Sequence, residues 1–319
     1  MLTIFSCPKL FRGHINIIQR NAIRSWTLLQ PRPEIILIGD DEGTGELCKE
    51  LGIRHIPEVQ RNEYGTPLVS SVFEIAQQQS VNDVLCYVNA DIILLSNFIT
   101  SVTRSTRSTR SVDLLDNRPF LLIGRRWDID IDKSLSFEPG WEEQLKMAAL
   151  KKGRIQVPEA MDYFVFTRGL YDNVPPFGLG RACWDNWLVY YAVTRKATLI
   201  DLTTQNMIFH QNHNYSHIPD LVDSGRRDYP ERKVNERLIG KWWPLRTYGV
   251  WDANFVLVPE GLSKLPPSRK MYSQMRRVAD CVAIVLDKFM PFSWPLYVVG
   301  KRVKSLLSRL CRAAIDRIA

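Results

Sequence analysis

Val84-Leu-Cys-Tyr-Val-Asn-Ala-Asp-Ile-Ile-Leu-Leu95 is the stretch on which the reading of this 319-residue chain turns. Val84 to Val88 is rich in β-formers and lacks polar alternation, the pattern of a strand buried on both faces. Asn89-Ala90-Asp91 then interrupts the apolar run before it resumes. A lone buried carboxylate is very costly, so Asp91 must be solvated, paired or bound to a cation. Ligands of open α/β sheets sit beyond the carboxyl ends of the strands. Asp91 therefore either caps a turn or holds a cation that carries a phosphate.

The residues before this stretch supply a sheet for it to join. Leu2 to Ser6 reads as a strand, His14 to Leu29 as an amphipathic helix, and Glu34 to Gly39 as a second buried strand ending on Asp40-Asp41. Thr44 to Leu51 follows as a helix with Gly52 as its C′ residue, and Ile53 to Val59 is extended. This β-α-β-α-β order predicts a mostly parallel sheet flanked by helices. After the polar loop Arg61 to Pro67, Leu68 to Gln79 reads as a helix.

Beyond Leu95, a helix is expected from Ser96 to about Val102. The low-complexity triplets Thr103 to Ser111 read as a solvated helix end or loop. Strands are predicted at Pro119–Gly124, Met161–Phe166, Thr198–Asp201 and Asn206–His210, and helices at Trp141–Lys152 and after Asp185. Trp242, Trp243 and Trp251 mark a last packed segment closing near Val258. The division expected is one domain over 1–263 and a basic, partly amphipathic helical tail over 264–319.

The net charge of +8 is unevenly placed. Residues 264–319 carry +9, which leaves −1 for the first 263. A nucleic-acid binder is expected to be basic on its folded face, so nucleic acid is not the expected partner. Six cysteines without close spacing form neither a disulfide framework nor a zinc motif, which suits a reducing, cytoplasmic setting. Met1-Leu-Thr-Ile-Phe5 runs directly into Ser-Cys-Pro-Lys with no signal-peptide pattern, and no apolar run has the length of a membrane span. Over Lys301–Ala319 apolar residues share one face opposite arginines, so this segment either lies on an anionic membrane surface or packs on protein.

Five groups fall at predicted strand ends or a helix start: Asp40-Asp41, Asp91, Arg125-Arg126, Asp185 and the histidines from His210 to His217. In a parallel sheet these gather on one edge. Transfer from a nucleotide diphosphate needs such a set: a divalent cation on oxygen ligands, arginine on phosphate and a carboxylate that takes a proton from a hydroxyl.

With Cys7-Pro8 after the first strand, Asp40-Asp41 after the second, Asn89-Ala90-Asp91 in the D-x-D position and Trp184-Asp185-Asn186 after a glycine-rich loop, residues 1–217 resemble a family 2-like nucleotide-sugar glycosyltransferase of the GT-A fold. The resemblance implies a single α/β domain and sugar transfer from a nucleotide-diphosphate donor to a hydroxyl acceptor, on a glycan or a lipid, assisted by Mn²⁺ or Mg²⁺. It implies nucleotide contacts from Ser6, Cys7, Pro8, Asp40, Asp41 and Asn89, metal ligation by Asp91 and His210, and a general-base role for Asp185 if configuration inverts. His213 is a second choice to His210. Arg125 and Arg126 are candidates for donor binding on their chemistry alone.

Asn89 departs from the pattern, because it brings no charge to the first position of D-x-D. A nucleotidyltransferase of the same fold class is the first alternative, though Ser6 to Gly13 contains a single glycine where a phosphate loop needs several. A non-catalytic binding module is the second, with Asn89 in its favour. Asp185 also reads as a plain N-cap, Asp40-Asp41 as a plain turn, and Trp127, Trp184 and Trp187 as core.

Overall fold

The computed structural model describes residues 1–111, 118–213, 229–239, 248–267, 269, 271, 273–275 and 277, with 108–111 as backbone. The chain opens with β1 (Leu2–Ser6), α1 (Gly13–Thr27), β2 (Glu34–Ile38), α2 (Thr44–Leu51), β3 (Arg54–Ile56), α3 (Val69–Gln79) and β4 (Val84–Val88). It continues with β5 (Ile92–Ile93), α4 (Asn97–Ser111), β6 (Phe120–Ile123), β7 (Trp127–Ile129), α5 (Trp141–Lys152), β8 (Arg154–Ile155) and β9 (Tyr163–Thr167). Next come α6 (Trp184–Thr194), β10 (Thr198–Asp201), β11 (Phe209–Gln211), α7 (Pro230–Ile239), β12 (Phe255–Val258) and β13 (Gly261–Lys264).

The central sheet has nine strands in the order β13-β12-β10-β6-β9-β4-β1-β2-β3. Only β9 and the edge strand β13 run against the rest. This is the mostly parallel, helix-flanked α/β architecture that the β-α-β-α-β order predicts. Period-two alternation builds its two layers. Ile4, Leu37, Cys86 and Val88 point to the side covered by Ile23 and Trp26 of α1. Phe5, Ile36, Ile38 and Tyr87 point to the other, where Phe73 of α3 and Leu188 of α6 pack. Aromatic rings fill that second layer, with Phe73 stacked on both Tyr87 and Phe166. The expected core tryptophans Trp184 and Trp187 are buried there.

Glycine has a specific task at the end of β2. Gly39 takes φ +109 and approaches the Cys7 thiol so closely that a Cβ would lie 3.3 Å from its sulfur. The β2 and β1 ends can therefore meet without a side chain between them.

Some elements differ from the sequence reading. α4 does not stop near Val102 but runs through the Thr-Arg-Ser triplets to Ser111. Low complexity did not break it, because Phe98, Ile99, Val102 and Ser105 keep one face buried. The sheet closes on β13, beyond Val258. A second sheet of four short strands, β5-β11-β7-β8, lies beside the first. No helix among the described residues is long and apolar enough to cross a membrane. Trp242, Trp243, His217 and the amphipathic segment 301–319 lie outside the described residues.

Candidate active site

The second sheet fixes the surroundings of Asp91. β11 pairs antiparallel with β5 and parallel with β7, which aligns His210 with Ile92 on one side and with Asp128 on the other. Gln211, fully buried, ties this junction to α1. Its backbone N–H and side-chain amide donate to the Asp91 carbonyl at 3.3 and 3.0 Å, and the same amide nitrogen donates to Ile18 O at 2.7 Å.

The Asp91 carboxylate then faces two histidines. His213 Nε2 is 3.1 Å and His210 Nε2 4.0 Å from Asp91 Oδ2. The three donor atoms all lie within 4.8 Å of one another. Asp91 Oδ1 is buried without a hydrogen-bond partner among the described residues. Burial alone would raise the Asp91 pKa, but the His213 hydrogen bond and the nearby charges of His210 and Lys9 hold it far below the usual carboxylate value.

A second polar chain runs from Asn89 to His210. Asn89 Oδ1 accepts from the Tyr87 hydroxyl at 2.9 Å, and its Nδ2 donates to Asp162 Oδ1 at 2.6 Å. The other Asp162 oxygen is paired with Arg126 Nη1. Arg126 Nε continues to Asp128 Oδ1 at 2.9 Å, and that oxygen lies 3.3 Å from His210 Nδ1. A carboxylate, Asp162, thus meets the first position of Asn-Ala-Asp from across the sheet edge. Asp162 reaches this edge because β9 is antiparallel, so the residue before β9 lies level with the residues after its neighbours.

Asp185 stands in the first turn of α6. The residue before the helix, Cys183, is held at φ +84, a left-handed conformation costly for a residue with a Cβ. Close packing around Asp185 pushes its pKa up to about 6, and the charge of Asp162 adds to the rise, while the Asn186 N–H donating at 2.9 Å opposes it.

A cleft of about 500 Å³ opens at this edge, and Cys7, Pro8, Lys9, Asp41, Arg61, Tyr64, Thr66, Asn89, Asp91 and Arg181 line part of it. Lys9 stands near enough to Asp91 and Arg181 to feel both; burial lowers its pKa, Asp91 opposes the fall and Arg181 deepens it. Gln19 of α1 pins the Lys9 backbone through N–H and carbonyl, each at 2.7 Å. Arg61 grips Asp40 at 2.6 Å and Asp41 at 2.9 Å, and Arg181 is fixed by Glu231 at 2.6 Å and Thr66 at 2.8 Å.

No family model matches the sequence, and no curated protein matches it. Among solved structures the chain is similar to residues 1–349 of S. aureus TarS in complex with UDP-GlcNAc, at 11% identity and TM-score 0.49, covering 87% of this chain and 72% of that one. A longer S. aureus TarS structure gives 8% identity and TM-score 0.44 over 76% of this chain, which spans 43% of that structure's length. M. tuberculosis glucosyl-3-phosphoglycerate synthase, in a complex with Mn²⁺, UDP and glucosyl-3-phosphoglycerate, gives 13% identity and TM-score 0.41, covering 75% and 78% of the two chains.

Of the residues singled out in the sequence, Cys7, Pro8, Asp41, Asn89 and Asp91 line the cleft, and His210 joins Asp91. Ser6 is fully buried at the end of β1, and Asp40 is exposed on Arg61. Neither is among the lining residues. Arg125 is not among the lining residues, and its Nε donates to Gln156 O at 2.6 Å; Arg126 is the arginine in the polar chain. Sequence reasoning gave His213 second rank and passed over Asp128, Asp162 and Lys9. An acid inside the strand expected at Met161–Phe166 was the signal at Asp162; β9 starts only at Tyr163 and runs backward, which leaves Asp162 at the edge.

Proposed function

We propose that the chain is a glycosyltransferase that moves a sugar from a nucleoside-diphosphate donor to a hydroxyl acceptor. The observation that carries this reading is the convergence of Asp91, His210 and His213 beside the cleft that Asp91 lines; a second carboxylate, Asp185, has its pKa raised to about 6 and feels the charge of Asp162 in the same polar cluster. The three donors fit a divalent cation, since Asp91 Oδ1 is buried with no partner among the described residues. Two imidazoles and one carboxylate suit Mn²⁺ better than Mg²⁺, which prefers oxygen ligands. A cation held there would neutralise charge on the departing diphosphate.

The chain's own residues supply the rest of the reaction. Lys9 and Arg181 bring positive charge to the donor phosphates. The acceptor oxygen attacks the anomeric carbon while the bond from that carbon to the phosphate oxygen breaks, and the electron pair leaves with the diphosphate. Asp185 takes the acceptor proton, a role suited to a carboxylate whose pKa lies near neutrality. Direct displacement inverts the anomeric centre, and the anomeric configuration of the product, read by NMR, checks it. The basic segment 301–319 supports an acceptor held at an anionic membrane surface on the cytoplasmic face. Vesicle co-sedimentation with and without residues 264–319 tests that part, and equal binding by both forms removes it.

A thermal-shift screen with UDP, GDP, ADP and CDP, each with and without Mn²⁺, tests the donor reading. Metal-dependent stabilisation by one nucleotide is expected, because a ligand that binds only the native state raises Tm by mass action. No shift with any of them overturns the reading.

A further inference from the structure

Histidines that bind metals are held by a second partner on the other ring nitrogen, which fixes the tautomer and the ring plane. The parallel register of β7 and β11 sets Asp128 directly beside His210. Asp128 Oδ1 faces His210 Nδ1 at 3.3 Å, an ion-pair contact outside hydrogen-bond alignment, while His210 Nε2 faces Asp91. Asp128 is itself fixed from two further directions, by Arg126 Nε at 2.9 Å and by Gln156 Nε2 at 2.6 Å on its other oxygen.

We infer that Asp128 is a positioning residue of the cation site: its carboxylate, 3.3 Å from Nδ1, holds that side of the His210 ring and leaves Nε2 as the ligating atom beside Asp91. This rests on the metal-assisted reading above. The geometry gives Asp128 two faces with separate tasks. Oδ2 is held by the Gln156 amide from β8's flank, and Oδ1 is shared between a fixed guanidinium and the imidazole. Arg126 keeps a second carboxylate, Asp162, so loss of the Asp128 charge does not strand the guanidinium.

The test uses the full chain and Mn²⁺ alone, with binding read by calorimetry or by the electron paramagnetic resonance of free Mn²⁺. Asp128→Asn is expected to weaken Mn²⁺ binding by about 10- to 100-fold, the range typical of outer-shell partners. A double-mutant cycle separates positioning from a general structural effect. In a His210→Gln background, Asp128→Asn is expected to have no further effect on Mn²⁺ affinity. Fully additive losses, or an Asp128→Asn affinity within about twofold of the parent, overturn the inference. Should Asp128→Asn not fold, Gln156→Leu keeps the charge and removes only the hold on Oδ2. A weaker Mn²⁺ affinity in that variant supports the inference, and an unchanged one overturns it. Absence of Mn²⁺ binding by the parent chain is a different result, since it removes the metal reading itself.

Discussion

At the scale of single residues, Asp185 carries opposite consequences for activity and stability. Its folded-state pKa is raised to about 6 from 3.8, so ionising it costs the folded chain free energy. That cost is fully present above pH 6 and disappears as the pH falls below the unfolded value. Asp185→Asn is therefore expected to abolish sugar transfer and yet stabilise the fold at neutral pH by on the order of 2–3 kcal/mol. Denaturant unfolding beside a turnover assay checks both halves. The same pKa gives an acid limb: kcat/KM should drop tenfold per pH unit below about pH 6. Asn89 makes a contrasting case. Its amide donates to Asp162 at 2.6 Å, so Asn89→Asp would restore D-x-D in name while setting two carboxylates against each other. We expect a lower Tm and no gain in Mn²⁺ affinity. A variant that binds Mn²⁺ more tightly at unchanged Tm would show that the Asn89–Asp162 hydrogen bond is dispensable to the site.

At the scale of elements, the small sheet holds the cation cluster, and Gln211 is its tie to α1. Gln211→Leu leaves Ile18 O and the Asn21 amide short of a partner in a buried setting, which typically costs about 1–3 kcal/mol. Mn²⁺ affinity should fall with it, because Gln211 sits between the two histidine-bearing positions and the Asp91 carbonyl. Retained affinity would mean that β11 holds its register without this tie. The strands of the large sheet were legible as apolar runs with turn residues at their ends, and so was Asp91 as the acid that breaks one. Of the small sheet only β11 was approached, as the strand expected at Asn206–His210, because this sheet's strands of two or three residues carry too few side chains to show a period. His213 lies past the end of β11, where no pattern extends. α4 was cut short because Arg, Thr and Ser read as solvated, although Ser105 proved to be wholly buried.

At the scale of the whole molecule, residues past the last strand reach back onto the sheet. Arg269 pairs with the buried Asp201 at 2.7 Å and also donates to Val250 O at 3.0 Å, while Arg277 and Ser273 both hold Asp252. Arg269→Met is expected to destabilise the chain by about 3–5 kcal/mol, the range for stranding one member of a buried pair. A shift in the urea midpoint at constant m-value measures it, and a midpoint unchanged from the parent would show Asp201 solvated. The reversed strand β9 carries a last consequence, for engineering. In a wholly parallel sheet, every segment at the working edge follows a strand. Here the segment preceding β9, residues 157–160, also belongs to that edge, whereas the turn after it at Asp172-Asn173 is exposed at the far end. A short peptide spliced between Asp172 and Asn173 should leave turnover intact, and the same peptide spliced into 157–160 should silence it. The chain is thus open to redesign at one end of β9 and closed at the other.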